Sequence, residues 1–212
     1  MNWTFTRIAG LAGLVGGILL AALLVVPAII PDNDFFQAPF YGGGALLLAV
    51  FAAGLYRAGK GRLGIVPKAG LVVALAASLS VAVIAVLDSF TRLGWGNYEW
   101  LWPVMVTAAG LMFAGLAVYA AGATMARAIP AWAGSPLAIG GTIFVALLIT
   151  AVVVGDRPMG ATREAINMLA TASIVLVTAA VALLGLMLAL GRIPSTDDVP
   201  VASPRSLPRP ST

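Results

Sequence analysis

Long apolar runs alternate with short polar breaks along most of this chain. The six runs cover residues 8–30, 40–56, 69–87, 101–123, 137–154 and 165–190. About 20 apolar residues in a helix cross the hydrocarbon core of a bilayer, so each run can span it with some tilt or local thinning. The runs exceed the length of barrel strands and show no sustained alternation of polar and apolar residues. The pattern therefore predicts an all-α integral membrane bundle of six transmembrane helices.

The two ends of the chain differ from each other in character. The first run is longer than the apolar part of a signal peptide and no small-residue cleavage site follows it, so it predicts a retained helix. Residues 191–212 contain five prolines and few large apolar side chains. This composition predicts a disordered, Pro-rich cytoplasmic tail.

Composition supports a membrane location and excludes several chemistries. Hydrophobic residues make up 61% of the chain and charged residues 9%, against about 25% charged residues in soluble domains. The chain has no cysteine and no histidine. This removes disulfides, thiolate or imidazole metal ligands, axial-histidine haem sites and Cys or His catalysis. We therefore expect no metal, no cofactor and no enzymatic activity.

The basic residues predict the orientation. Nine of the twelve fall on one side of the predicted bundle: Arg7, Arg57, Lys60, Arg62, Lys68, Arg127, Arg192, Arg205 and Arg209. The positive-inside rule places this side, and with it both termini, in the cytoplasm. The same rule explains the formal charge of +4 without nucleic acid. We expect a multi-pass protein of the inner (plasma) membrane.

The loop between the second and third runs is strongly basic. It contains Arg57, Lys60, Arg62 and Lys68. Two interpretations compete: a topology determinant that contacts anionic lipid headgroups, or a phosphate-binding loop. The Gly-Lys pair lacks the G-x-x-x-x-G-K-[ST] spacing and follows no strand, so we favour lipid contact.

Small residues predict where helices pack closely. Ala9, Gly13, Gly17 and Ala21 share one helix face, and such faces allow close backbone approach in membranes. Packing within the chain is favoured over a dimer interface. Residues 15–32 and 139–156 also share a Gly-Gly start, an Ala-Leu-Leu centre and a final Asp, which suggests a parallel internal repeat.

Charged side chains on the opposite side form a candidate ligand-binding or pairing cluster. Its members are Asp88, Arg92, Glu99, Asp156, Arg157 and Glu164. Ordinary loops have the same composition, and no catalytic motif is present. A lipid-modifying enzyme would need Asp88, Glu99, Asp156 or Glu164 to converge, because paired-acid chemistry requires carboxyl groups within about 10 Å.

Polar residues inside the runs lack charge. Ser and Thr there are expected to bond to carbonyls of their own helices. A facilitator or transporter of a small or amphipathic solute would instead need a cavity lined by Ser78, Thr107, Thr142 or Asn167. The tryptophans are expected at the membrane surfaces, as an interfacial belt: Trp3, Trp95, Trp100, Trp102 and Trp132.

Two segments resemble a group of uncharacterised small bacterial six-helix membrane proteins. The group has a Gly/Arg-rich loop before the third helix, matched by Arg62-Leu63-Gly64 with Gly70, and a Pro-x-Trp-Ala-Gly turn after the fourth, matched by residues 130–134. The sequence departs from the group at Pro67-Lys68. The resemblance implies a bacterial inner-membrane protein and carries no activity.

These features together predict a function that depends on contact rather than on chemistry. We expect a non-enzymatic accessory or interaction subunit, whose partners are the lipid bilayer and other membrane-protein subunits. The facilitator or transporter is the alternative.

Overall fold

The computed structural model describes residues 4–29, 34–92, 100–154 and 161–193; at 23–29, 34–39, 91–92, 102, 151–154 and 161–163 only the backbone is described. Six helices and no strands occur in these ranges. They are α1 (Phe5–Ile29), α2 (Asp34–Ala58), α3 (Ile65–Arg92), α4 (Leu101–Met125), α5 (Ala131–Val154) and α6 (Ala161–Ala189). All six are long and apolar enough to cross a membrane. The predicted all-α bundle of six membrane-spanning helices is confirmed.

Most helices begin earlier or end later than the apolar runs that predicted them. Hydropathy locates only the part of a helix in hydrocarbon, whereas the helix continues beyond it because its backbone groups are already hydrogen-bonded. α5 begins at Ala131, ahead of Pro136. Pro136 has no backbone N–H, so the carbonyl oxygen of Trp132 lacks its helical hydrogen-bond donor. This carbonyl lies in the first turn of the helix, where other donors can reach it.

The helices form a closed ring in chain order. Each packs mainly against its neighbours in the chain, and α1 closes the ring against α6. α3 and α6 therefore stand on opposite sides. Successive helices run in opposite directions, so the starts of α1, α3 and α5 lie at one end, together with the ends of α2, α4 and α6. We call this the basic end, defined by Arg7, Arg57, Lys60, Arg62, Lys68, Arg127 and Arg192.

Apolar side chains fill the centre of the ring. The largest that are fully buried come from α2, α3, α4, α5 and α6: Leu48, Phe51, Leu55, Leu71, Leu116, Leu137, Val177, Val181, Leu184 and Leu188. They belong to one continuous core cluster that also includes Ala9 of α1. Close packing of this kind, rather than exclusion of water, holds helices together in lipid.

The small-residue face of α1 lies between two neighbours. A Cβ atom on Gly13 would collide with the Phe51 ring of α2, and one on Gly17 would lie 2.8 Å from the Thr178 carbonyl oxygen of α6. Ala9 is fully buried and Ala21 is half-buried. The face is thus occupied within the chain, which leaves little of it for the dimer alternative.

The two Gly-Gly pairs of the suggested repeat have matching surroundings. Gly16 faces α2 and Gly17 faces α6; Gly140 faces α6 and Gly141 faces α4. In each pair the first glycine contacts the next helix of the ring and the second contacts the preceding one. α1 and α5 are thus similar in how their Gly-Gly pairs contact neighbouring helices, as well as in sequence.

Candidate functional site

In the candidate cluster at the end opposite the basic end, Asp88 contacts a neighbouring helix. The Tyr41 hydroxyl of α2 donates a hydrogen bond of 2.8 Å to Asp88 Oδ2 of α3, in a partly buried position. Asp88 thus joins two neighbouring helices. Sequence reasoning missed Tyr41 because the two residues are 47 positions apart.

Of the other members of this cluster, the structure describes the side chain of Glu164 alone. Glu164 is exposed in the first turn of α6, on the far side of the ring from Asp88. Glu99, Asp156, Arg157 and the side chain of Arg92 lie outside the described residues. Within those residues no three His, Cys, Asp or Glu side chains form a group that could hold a metal ion.

Most polar groups inside the spans bond to their own helices. Thr107 donates to the Pro103 carbonyl at 2.8 Å and Thr142 to the Ala138 carbonyl at 2.7 Å. Both are exposed on the outside of the ring, as is Asn167, whereas Ser78 is buried. Two cavities in the described part of the chain are lined by other residues. Neither of these two cavities is therefore lined by a residue proposed for the solute pathway.

The described segments of the basic end carry positive charge and no acidic residue. Its described segments, residues 4–14, 56–70, 119–134 and 185–193, contain no Asp or Glu. Arg57, Lys60 and Arg62 are exposed, and Lys68 is half-buried. The Arg57 guanidinium lies 5.8 Å from the centroid of the Phe5 ring, a distance typical of cation–π contact. This end therefore attracts anions.

A small, partly enclosed hollow lies beneath the basic loop. Its volume is about 10 Å³, room for about one water molecule, and Tyr119, Arg62, Leu63 and Ile193 contribute to its lining. The composition of residues 191–212 predicts a tail that includes Ile193, but Ile193 is buried. It is directed there by a glycine turn: Gly191 has φ +68°, and the Arg192 amide donates to the Met187 carbonyl at 2.8 Å.

A larger groove opens on the outside of the bundle between α2 and α3. It measures about 180 Å³ and is lined by Ala52, Ala53, Tyr56, Leu71, Val72 and Leu75. Its lining is almost entirely apolar. Sequence reasoning missed it, although the adjacent alanines of α2 are a signal for a depression in a helix surface.

Two tryptophans of the predicted belt are described with their side chains. Trp100 immediately precedes α4, and Trp132 lies in the first turn of α5, so they occupy opposite ends of the bundle; both are more than half exposed. Trp3, Trp95 and the side chain of Trp102 lie outside the described residues. The interfacial role stays a prediction.

No family model, characterised protein or solved structure matches this chain. The resemblance to the bacterial six-helix group therefore also stays a prediction.

Proposed function

We propose that the protein is a non-enzymatic accessory subunit of a bacterial inner membrane, which works by packing against another membrane protein. The observation that carries this proposal is the filled centre of the ring. Phe51, Leu116 and Leu137 occupy the place where a solute pathway would run. The exposed hydroxyls of Thr107 and Thr142 bond to their own helices, which favours a contact role over the facilitator.

α5 is the helix best suited to meet a partner. Only 28% of its membrane span is buried, against 44–50% for the other five. Its exposed residues follow the 3.5-residue spacing of a helix–helix seam and mix small with large side chains: Trp132, Ile139, Thr142, Ala146 and Ile149. Small residues allow a second helix to approach.

The proposed orientation has the basic end and both termini in the cytoplasm. Its support is the distribution of Arg and Lys, since basic loops remain on the cytoplasmic side during insertion. The basic end then faces the negative inner leaflet. The connections between helices at this end, residues 59–64 and 126–130, are short.

Photo-cross-linking in native membranes tests the proposed contact. A photo-reactive phenylalanine analogue replaces Ile139 on α5 or, as the matched control, Val83 on α3; both side chains are more than half exposed. We expect position 139 to cross-link one protein species and position 83 to yield lipid adducts. Lipid adducts alone at both positions, or the same proteins at both, would contradict the proposal.

A further inference from the structure

The groove between α2 and α3 has the shape of a site for a hydrocarbon chain. Ala52 and Ala53 supply one side, and Leu71, Val72 and Leu75 supply the other. The two helices approach closely at the opposite end, where a Cβ atom on Gly42 would lie 2.6 Å from that of Ala85. The groove lies toward the basic end, where the methyl side chains of the two alanines leave room between the helices.

Lys68 lies directly in line with this groove. It precedes Leu71 by three residues and Val72 by four, so these side chains share one face of α3. Lys68 is half-buried. A lysine in this position can lay its methylene chain along the apolar wall and hold its ammonium group at the membrane surface.

The α2 side of the groove ends in a similar way. Tyr56 lines the groove at its basic end and is partly exposed. Lys60 follows in the turn, where its backbone amide donates to the Arg57 carbonyl at 3.2 Å. Tyr56 therefore lies at the basic end of an apolar channel, with Lys60 in the turn that follows α2 and Lys68 in the first turn of α3. Residues 56–70 contain no acidic side chain that could neutralise the two lysines.

The apolar start of α3 supports a position at the membrane surface. Ile65 and Val66 are 86% and 66% exposed, immediately beside the lysines of the loop. Apolar side chains next to basic ones are typical of segments that rest at the boundary between headgroups and acyl chains. The ammonium groups would then lie at the level of lipid phosphates.

We infer that this groove binds an anionic glycerophospholipid, with an acyl chain between α2 and α3 and its phosphate held by Lys68, Lys60 and the Tyr56 hydroxyl. Charge complementarity selects this occupant. A zwitterionic lipid lacks the net negative charge, and free phosphate has no chain for the groove. The inference concerns a different face from α5 and does not rest on the proposed accessory role.

Native mass spectrometry of the detergent-solubilised full chain measures this binding directly. The probes are phosphatidylglycerol and phosphatidylcholine with identical acyl chains. We expect one phosphatidylglycerol to bind about thirty-fold more tightly than phosphatidylcholine, since each of the two lysines contributes about 1 kcal/mol beside a headgroup with net negative charge. Equal affinity for the two lipids would overturn the inference.

Two substitutions separate a built site from diffuse attraction to the basic end. Lys68→Gln should raise the dissociation constant of phosphatidylglycerol about five-fold, the equivalent of about 1 kcal/mol. Arg127→Gln is the matched control: it removes a charge from the same end but not from the groove, and should change the constant less than two-fold. Equal weakening by both would show diffuse attraction and contradict the inference.

The role of the groove is tested by filling it. Ala53→Phe should weaken the binding of both lipids, whereas Ala179→Phe, on the exposed face of α6, should not. A second experiment uses the unmodified protein and does not depend on the folding of Ala53→Phe. Glycerol phosphate, which has the anionic group without the acyl chains, should fail to displace the bound lipid. Unchanged binding by a folded Ala53→Phe protein, or displacement by glycerol phosphate, would overturn the inference.

Discussion

Gly10 and Gly185 hold α1 and α6 in close backbone contact. A Cβ atom added to either glycine would lie 2.7 Å from the carbonyl oxygen of the other. This crossing closes the ring, because α1 and α6 are the first and last helices of the chain. Glycine allows such an approach by its lack of a side chain, and the contact brings Cα–H groups toward carbonyl oxygens.

Gly185→Ala is expected to destabilise the bundle. Alanine improves helix propensity by about 1 kcal/mol, but overpacking costs about 1–3 kcal/mol, and the clash is with backbone that cannot rotate away. Thermal unfolding in detergent measures the change. Gly43→Ala is the control, since the nearest atom to a Cβ there, on Leu19, is 3.9 Å away. A Gly185→Ala protein as stable as Gly43→Ala would contradict the close crossing.

Tyr41→Phe is expected to weaken the contact between α2 and α3. The variant loses a 2.8 Å bond to a carboxylate, worth about 1 kcal/mol in a partly buried position. Unfolding of Tyr41→Phe, Asp88→Asn and the double variant gives the coupling energy between the two positions. A coupling energy of zero would contradict a stabilising hydrogen bond between Tyr41 and Asp88. Tyr56→Phe, at a partly exposed tyrosine, should leave stability unchanged.

Thr124→Val is expected to stabilise the protein. Among the described residues, the Thr124 Oγ1 atom is the buried side-chain oxygen without a hydrogen-bond partner, and it contacts Gly134 of α5. Valine has a similar shape without the hydroxyl, so the free energy of unfolding should rise by about 1 kcal/mol. The same change at exposed Thr142 should have little effect. A loss of stability in Thr124→Val would show that this hydroxyl has a partner.

Arg127→Gly is also expected to be stabilising. Arg127 has φ +54°, the left-handed conformation that Gly191 adopts after α6. In both turns an amide bonds back five residues, from Ala128 to the Ala123 carbonyl and from Arg192 to that of Met187. A non-glycine residue in this conformation costs about 1 kcal/mol or more, which glycine would recover. Ala126→Gly, at φ −75°, is the control and should be neutral or destabilising. If unfolding measurements show Ala126→Gly to be more stable than Arg127→Gly, the proposed backbone strain at Arg127 is contradicted.

The number and type of the helices follow from the sequence, because lipid requires every backbone group to be bonded within its own segment. The ends of the helices do not follow from the sequence in this way, because segments such as residues 34–39 and 131–136 are helical without being strongly apolar. Hydropathy therefore predicts spans better than it predicts helices.

The contacts between helices were less accessible to sequence reasoning. The stripe at Ala9, Gly13 and Gly17 indicated a packing face, but only the structure assigns its residues to different neighbours. Tyr41 and Asp88 belong to different helices and share no local motif. The groove beside Lys68 depends on the spacing of α2 and α3, which neither sequence segment encodes alone.

The mass of the complex released from native membranes in polymer-bounded lipid discs tests the proposed accessory role most directly. We predict one defined assembly that contains this chain and a second membrane protein in fixed stoichiometry. Ala146→Trp, on the exposed face of α5, should dissociate it, and Ala179→Trp on α6 should not. A monomer that carries only lipid, in the unmodified protein, would contradict the proposal.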